Sequence, residues 1–133
     1  MARFKVVTHS ASSTARLGSG YELEMEGLSQ IGAEITVSSA ETEEDYIEEA
    51  KDADAIIAGA GLRTTRTVIE GLERCKVIAL GSVGADSVDM EAATERGIPV
   101  TNVPDTFIEE VADHAMTLIL ATFRRVTLMD QMA

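Results

Sequence analysis

Five short apolar runs recur along the chain: Phe4 to Thr8, Glu34 to Ser38, Ala55 to Ala60, Lys76 to Leu80 and Pro99 to Val103. Most are rich in Val and Ile, residues that fit a pleated surface, so each reads as a β-strand. Their apolar character predicts strands buried on both faces. Between them lie stretches with helical periodicity, too long for hairpin links, and this is the βαβ rhythm of a parallel sheet with right-handed crossovers.

The intervening helices carry their own punctuation. Tyr21 to Ile31 places Leu23, Met25, Leu28 and Ile31 on one stripe, and Gly32 supplies the stop. Thr42 and Asp45 resemble a capping box, Glu41, Glu43 and Glu44 suit the positive helix end, and Tyr46, Ile47 and Ala50 can face the sheet. Thr64 or Thr65 can cap a third helix running through Arg74. Asp86 or Ser87 can open a fourth that stops at Gly97, with Pro99 just beyond. A fifth is expected from Asp105 or Thr106, with Glu109 placed for a capping box, to about Met129. Its segment AMTLILATF is apolar on nearly every side, so one face is expected to pack on the sheet and the other to need cover from elsewhere. The closing LMDQMA is still in helical pattern, and the chain is expected to be a truncation rather than to end there naturally.

Composition narrows the partners. Of 133 residues, 45% are apolar, which suits one domain with a real core, and 23 Asp and Glu against 11 Lys and Arg give a formal charge of −12. Such a field repels phosphate backbones and anionic headgroups, so neither nucleic acid nor a membrane is an expected partner. The N-terminus shows no secretory pattern, and the apolar stretch from Ala115 to Phe123 is too short to span a bilayer. Cys75 is the single cysteine, so no intrachain disulfide is possible; it reads as core filler in a reducing cytoplasm.

Two glycine-bearing turns follow strands. In AIIAGAGLRTT, Gly59 and Gly61 are followed by Thr64 where a third glycine would complete G-x-G-x-x-G, and the next strand ends without the acidic residue that holds a ribose, so the dinucleotide fingerprint fails twice. The second turn, LGSVGAD from Leu80 to Asp86, would leave backbone N–H groups near the carboxyl edge of the sheet, where a small carboxylate could be cradled. A phosphoacceptor receiver domain would need acidic residues where Thr8, His9, Ser10 and Gly59, Ala60, Gly61 stand. His9 and His114 lack companions at metal spacing apart from Asp113 beside His114, so no metal site is expected, and His114 reads as a packed or interface residue.

The segments ADAIIAGAG and TRTVIEGLERCKVIALGSVGADSVDMEAATERGIPVTNVPDTFIEEVADHAMTLIL resemble the D-isomer-specific 2-hydroxyacid dehydrogenases, in the branch of the phosphoglycerate dehydrogenases and C-terminal-binding-protein-like reductases. YELEMEGLSQIGAEI is similar to that branch too. The resemblance implies an α/β, flavodoxin-like, five-stranded parallel sheet with helices on both faces. It implies a substrate-binding domain over 1–104 and, over 105–133, a long interdomain helix leading to an NAD-binding Rossmann domain beyond this sequence, with a later return of the chain to finish the first domain.

It further implies that the substrate carboxylate meets the glycine loop at Ser82, Val83 and Gly84, and that Pro104, Ile108 and Val111 border the cofactor, NAD or NADP. The family's catalytic arginine, glutamate and histidine fall later than residue 133, so no catalytic residue is expected here. Leu80 stands where many members have Arg, Ser82 where Gly is usual, and Ile108 where Thr or Ser is common. The implied function is the substrate-binding portion of a 2-hydroxyacid dehydrogenase, cytoplasmic and homodimeric. The alternative is a non-enzymatic module of the same fold that binds a small carboxylate or another protein.

Overall fold

The apolar runs form one sheet. In the computed structural model, which describes residues 4–9, 21–59 and 61–132, they are β1 (Phe4–His9), β2 (Ala33–Ser38), β3 (Ala55–Ala58), β4 (Val77–Leu80) and β5 (Val100–Thr101). All pair in parallel in the order β2-β1-β3-β4-β5. The chain steps outward from β1 to β2 and then returns past it to β3, so the order switches direction between β1 and β3. Ala60, expected at the end of the third strand, lies outside the described residues.

Helices α1 (Glu22–Ser29), α2 (Glu43–Ala50), α3 (Arg66–Gly71), α4 (Met90–Glu95), α5 (Ile108–Phe123) and α6 (Val126–Met132) complete the elements among the described residues. The main core is one-sided. Val7, Ile56, Ala58, Ile78 and Leu80 point toward α2, α3 and α4 and bury against Tyr46, Ala50, Val68, Ile69, Leu72, Ala92 and Ala93. Tyr46 and Ala50 face the sheet as expected, with Ile47 packed at the margin. On the opposite face Val6 and Thr8 are buried, but Ala55, Ile57, Val77 and Ala79 are only half-buried. The expectation of strands buried on both faces is corrected here: among the described elements only α1, which packs on β2, lies toward that side, as right-handed crossovers require.

Several helix ends differ from the pattern reading. Thr42 caps α2, accepting from the Asp45 N–H at 3.2 Å and donating to the Asp45 carboxylate at 2.9 Å. Thr65 caps α3. That helix stops at Gly71 rather than reaching Arg74, because Leu72 turns extended and sinks into the core. The Arg96 guanidinium then takes the carbonyls of Ile69, Glu70 and Leu72 at 3.2, 2.9 and 2.6 Å, satisfying acceptors that a helix end leaves orphaned. The fourth helix opens at Asp89, which accepts from the Ala92 N–H at 2.9 Å. Asp86 and Ser87 are occupied elsewhere, as described below. Gly32 and Gly97, with φ of 73° and 64°, follow the first and fourth helices as expected.

The largest departure is α5. It begins at Ile108 after Phe107, with no side-chain cap, so the capping box at Glu109 does not form. It ends at Phe123, and Arg124 and Arg125 break the path before α6. Every residue of α5 except Ala121 is exposed, and its packing partner is α6. The expectation that one face packs on the sheet is therefore wrong. The stripe of α1 is also largely open: Leu23, Met25 and Ile31 are exposed, and Leu28 is half-buried. Among the described residues no helix is long and apolar enough to cross a membrane.

Candidate functional site

Ligands of open parallel sheets bind outside the carboxyl ends of the strands, and there the loop after β4 has an ordered arrangement of backbone dipoles. Three of its carbonyls are held by protein donors. The Val103 N–H donates to the Ser82 carbonyl at 3.1 Å. The Asn102 side-chain amide donates to the Val83 carbonyl at 2.7 Å, and the Ser82 hydroxyl donates to the Gly84 carbonyl at 2.8 Å. A trans peptide places its C=O and N–H on opposite sides. Fixing the carbonyls of Ser82 and Val83 therefore turns the N–H groups of Val83 and Gly84 away from the donors, and neither donates to another described residue.

The three sequence-predicted residues Ser82, Val83 and Gly84 thus share one exposed loop. Their bonding differs: the Ser82 hydroxyl donates to the Gly84 carbonyl, while the Val83 and Gly84 N–H groups donate to no other described residue. Gly84 does not have a left-handed φ; a Cβ there would meet the Asp86 carboxylate at 3.2 Å, so glycine supplies room rather than an unusual backbone. Asn102, just past β5, is a supporting residue that sequence reading passed over. Its only signal was a polar side chain at the carboxyl end of a strand. Leu80 is buried in the core beneath the loop and presents nothing to it.

The neighbouring turn after β3 is bonded at its far end to the segment after β4. Thr64 is buried, its N–H donates to the Ser87 carbonyl at 2.8 Å, and its carbonyl accepts from the Asp89 N–H at 3.0 Å. Arg63 reaches the Asp86 carbonyl at 2.6 Å. These bonds tie the turn to the Asp86 and Ser87 carbonyls, and they explain why Asp86 and Ser87 do not start α4. Beyond the loop, Pro104, Ile108 and Val111 are all exposed, and Ile108 and Val111 are one turn apart on α5. The turn carrying them to the helix holds Asp105 and Phe107 at φ of 60° and 61°, a left-handed geometry that costs a non-glycine residue about 1 kcal/mol or more.

At the amino edge, a hollow of about 350 Å³ is lined by charges that pair with one another. Asp54 accepts from the Lys5 N–H at 3.0 Å and from Arg74 at 3.1 Å, with the Lys76 ammonium at 3.9 Å. The Lys5 amide first, and Arg74 and Lys76 after it, hold its carboxyl below the usual range. Cys75 is half-buried, donates to the Val77 carbonyl at 3.3 Å, and has its thiol pushed up by burial, which suits packing rather than nucleophilic chemistry. His114 is exposed on α5.

Residues 15–131 match the D-isomer specific 2-hydroxyacid dehydrogenases, catalytic domain. Over 99 residues the chain is 43% identical to a D-3-phosphoglycerate dehydrogenase of Methanocaldococcus jannaschii, covering 74% of this chain and 19% of that protein. Over 105 residues it is 39% identical to a glyoxylate reductase of Pyrococcus furiosus, covering 75% of this chain and 31% of that protein. It is also similar to the NAD-dependent formate dehydrogenase from Staphylococcus aureus, solved in complex with NAD, with a TM-score of 0.73, 25% identity, and coverage of 92% of this chain and 39% of that one. The chain spans well under half the length of these relatives. The sheet, its order and a match over most of the sequence agree that this chain belongs to the D-isomer specific 2-hydroxyacid dehydrogenase family.

Proposed function

We propose that this chain is the substrate-binding portion of an NAD(P)-dependent oxidoreductase acting on the CH–OH group of a small 2-hydroxy acid, and that the Val83 and Gly84 amides receive its carboxylate. The observation that carries this reading is the tethering of the Ser82 and Val83 carbonyls in one exposed loop, with the Val83 and Gly84 N–H groups donating to no other described residue. Amides neutralise an anion without bringing a competing acceptor. In a protein of net charge −12, such local dipoles also hold a carboxylate against an unfavourable overall field.

Residues 1–104 would form the substrate domain and 105–133 the helical passage to the remainder of the protein. Pro104, Ile108 and Val111 offer an exposed apolar strip beside the loop, suited to border a nicotinamide ring, whereas the phosphates would be held outside this chain because Thr64 stands where a dinucleotide loop needs its third glycine. When bound, the cofactor supplies or accepts a hydride at the hydroxyl-bearing carbon. The part played here is to fix the acid by its carboxylate, so that this carbon lies in a defined place. The open faces of α1, α5 and the sheet are read as surfaces covered by the remainder of the polypeptide and by a second copy, in a cytoplasmic homodimer.

The test is a titration of the 133-residue chain with glyoxylate, followed by backbone amide resonances. Shifts centred on Val83 and Gly84 are expected, with none at 61–65 when NADH is added alone. Glyoxylate shifts that spare Val83 and Gly84 would remove the carboxylate assignment.

A further inference from the structure

The strand order reverses between β1 and β3, and at the carboxyl end of β1 stands a histidine. His9 ends β1, and its ring joins two other loops. Nε2 lies 2.6 Å from the Ala40 carbonyl in the β2–α2 loop, and Nδ1 accepts from the Leu62 N–H at 3.4 Å in the turn after β3. A carbonyl only accepts and a backbone amide only donates, so the two partners together fix the ring as the neutral tautomer with its proton on Nε2. The ring stands edge-on to Tyr46, with centroids 5.8 Å apart.

Gly61 is shaped to this arrangement. A Cβ at that position would run into His9 Nδ1 and crowd the rest of the ring. The turn that His9 holds from one side is held from the other by the carboxylate loop's continuation, through Arg63 to Asp86 and Thr64 to Ser87. Only Ala85 separates Asp86 from Gly84. A continuous series of bonds therefore runs from the His9 ring through 61–65 to the loop that presents the Val83 and Gly84 amides.

We propose that His9 is a positioning residue for the substrate carboxylate: its neutral ring, seated against Gly61, sets the turn after β3 and through it the amides of the loop after β4. This rests on the reading of Val83 and Gly84 given above. The test uses the 133-residue chain, with glyoxylate as the probe and the Val83 and Gly84 amide shifts as the readout. His9→Phe keeps an aromatic body but loses both bonds, and weakens binding about three- to tenfold, the range for one or two modest hydrogen bonds. His9→Asn, whose amide oxygen can accept from Leu62, recovers most of that loss. Gly61→Ala weakens binding in the presence of the ring, and adds much less loss in a His9→Ala background, where the ring is gone and only the Cβ of residue 9, at 3.2 Å, stays close; this non-additivity is one that independent structural effects would not produce.

Unchanged affinity in a folded His9→Phe chain, or strictly additive losses in the pair, overturns the proposal while leaving the carboxylate loop intact. Glyoxylate shifts absent from Val83 and Gly84 in the unaltered chain overturn both. Imidazole ¹⁵N shifts of the unaltered chain give a reading independent of any variant's folding: a protonated Nδ1 at neutral pH overturns the bonding pattern on which the proposal stands.

Discussion

Asn102 offers the sharpest test of how the carboxylate loop works. Its side-chain amide holds the Val83 carbonyl at 2.7 Å and so fixes the direction of the Gly84 N–H across the same peptide. Asn102→Ala removes one neutral bond, worth about 0.5–1.5 kcal/mol net, and weakens glyoxylate binding by roughly two- to tenfold as the peptide is freed to turn. Asn102→Asp does more, because it sets an acceptor against the carbonyl and adds a charge. From the peptide geometry that charge lies roughly 7 Å from a carboxylate on the Gly84 amide. Coulomb repulsion there is about 0.6 kcal/mol in water and about 2 kcal/mol at an effective dielectric of 20, a further loss of roughly three- to thirtyfold. Amide-shift titrations at about 20 mM and about 500 mM salt separate the two contributions, since the excess loss in Asn102→Asp shrinks with screening and the loss in Asn102→Ala does not. Equal affinities for both variants and the unaltered chain would refute the claim that the tethered carbonyls orient the amides.

Arg96→Met leaves three carbonyls at the end of α3 without their donor and is expected to cost about 2 kcal/mol, a fall in Tm on the order of 6 to 10 °C by thermal melt; an unchanged Tm would show that water replaces the guanidinium fully. The Asp54 carboxyl is held below the usual range in the folded chain, so its contribution is fully present above the unfolded value of about 3.9 and is lost as the pH falls through the folded value. The Tm gap between the unaltered chain and Asp54→Asn should then close as the pH drops from about 5 to about 2, and a gap constant over that window contradicts the assignment. The 133-residue chain is expected to oxidise no NADH with glyoxylate and to show no tight NADH binding, since neither glycine turn completes the pyrophosphate fingerprint; micromolar affinity by calorimetry would contradict this. With Ile108, Val111, Ile119 and Phe123 all exposed on α5, the chain is expected to sediment as a dimer or larger at tens of micromolar, and a clean monomer would show that this helix tolerates water.

The sequence by itself determined the order of elements and their parallel arrangement, because strand and helix periodicities and crossover length are written in consecutive residues. It also determined the cap at Thr42, the stop at Gly97, the family, and the loop holding Ser82, Val83 and Gly84, and narrowed the cap of α3 to Thr64 or Thr65, between which the structure chose Thr65. Tertiary structure decided what lies between distant positions. Arg96 ends α3 from 24 to 27 residues away, Asn102 orients a peptide 19 residues earlier, and His9 meets Leu62 across 53 residues. No local pattern encodes such pairings, since each depends on where the sheet carries two loops. The same limit applies to burial. Apolar runs at Ala55–Ala58 and Val77–Leu80 state that a strand prefers to be covered, but only the placement of α2, α3 and α4 on one side decided which face received that cover. The apolar circumference of α5 likewise states a demand for cover, and tertiary structure decided that the sheet of this domain does not meet it.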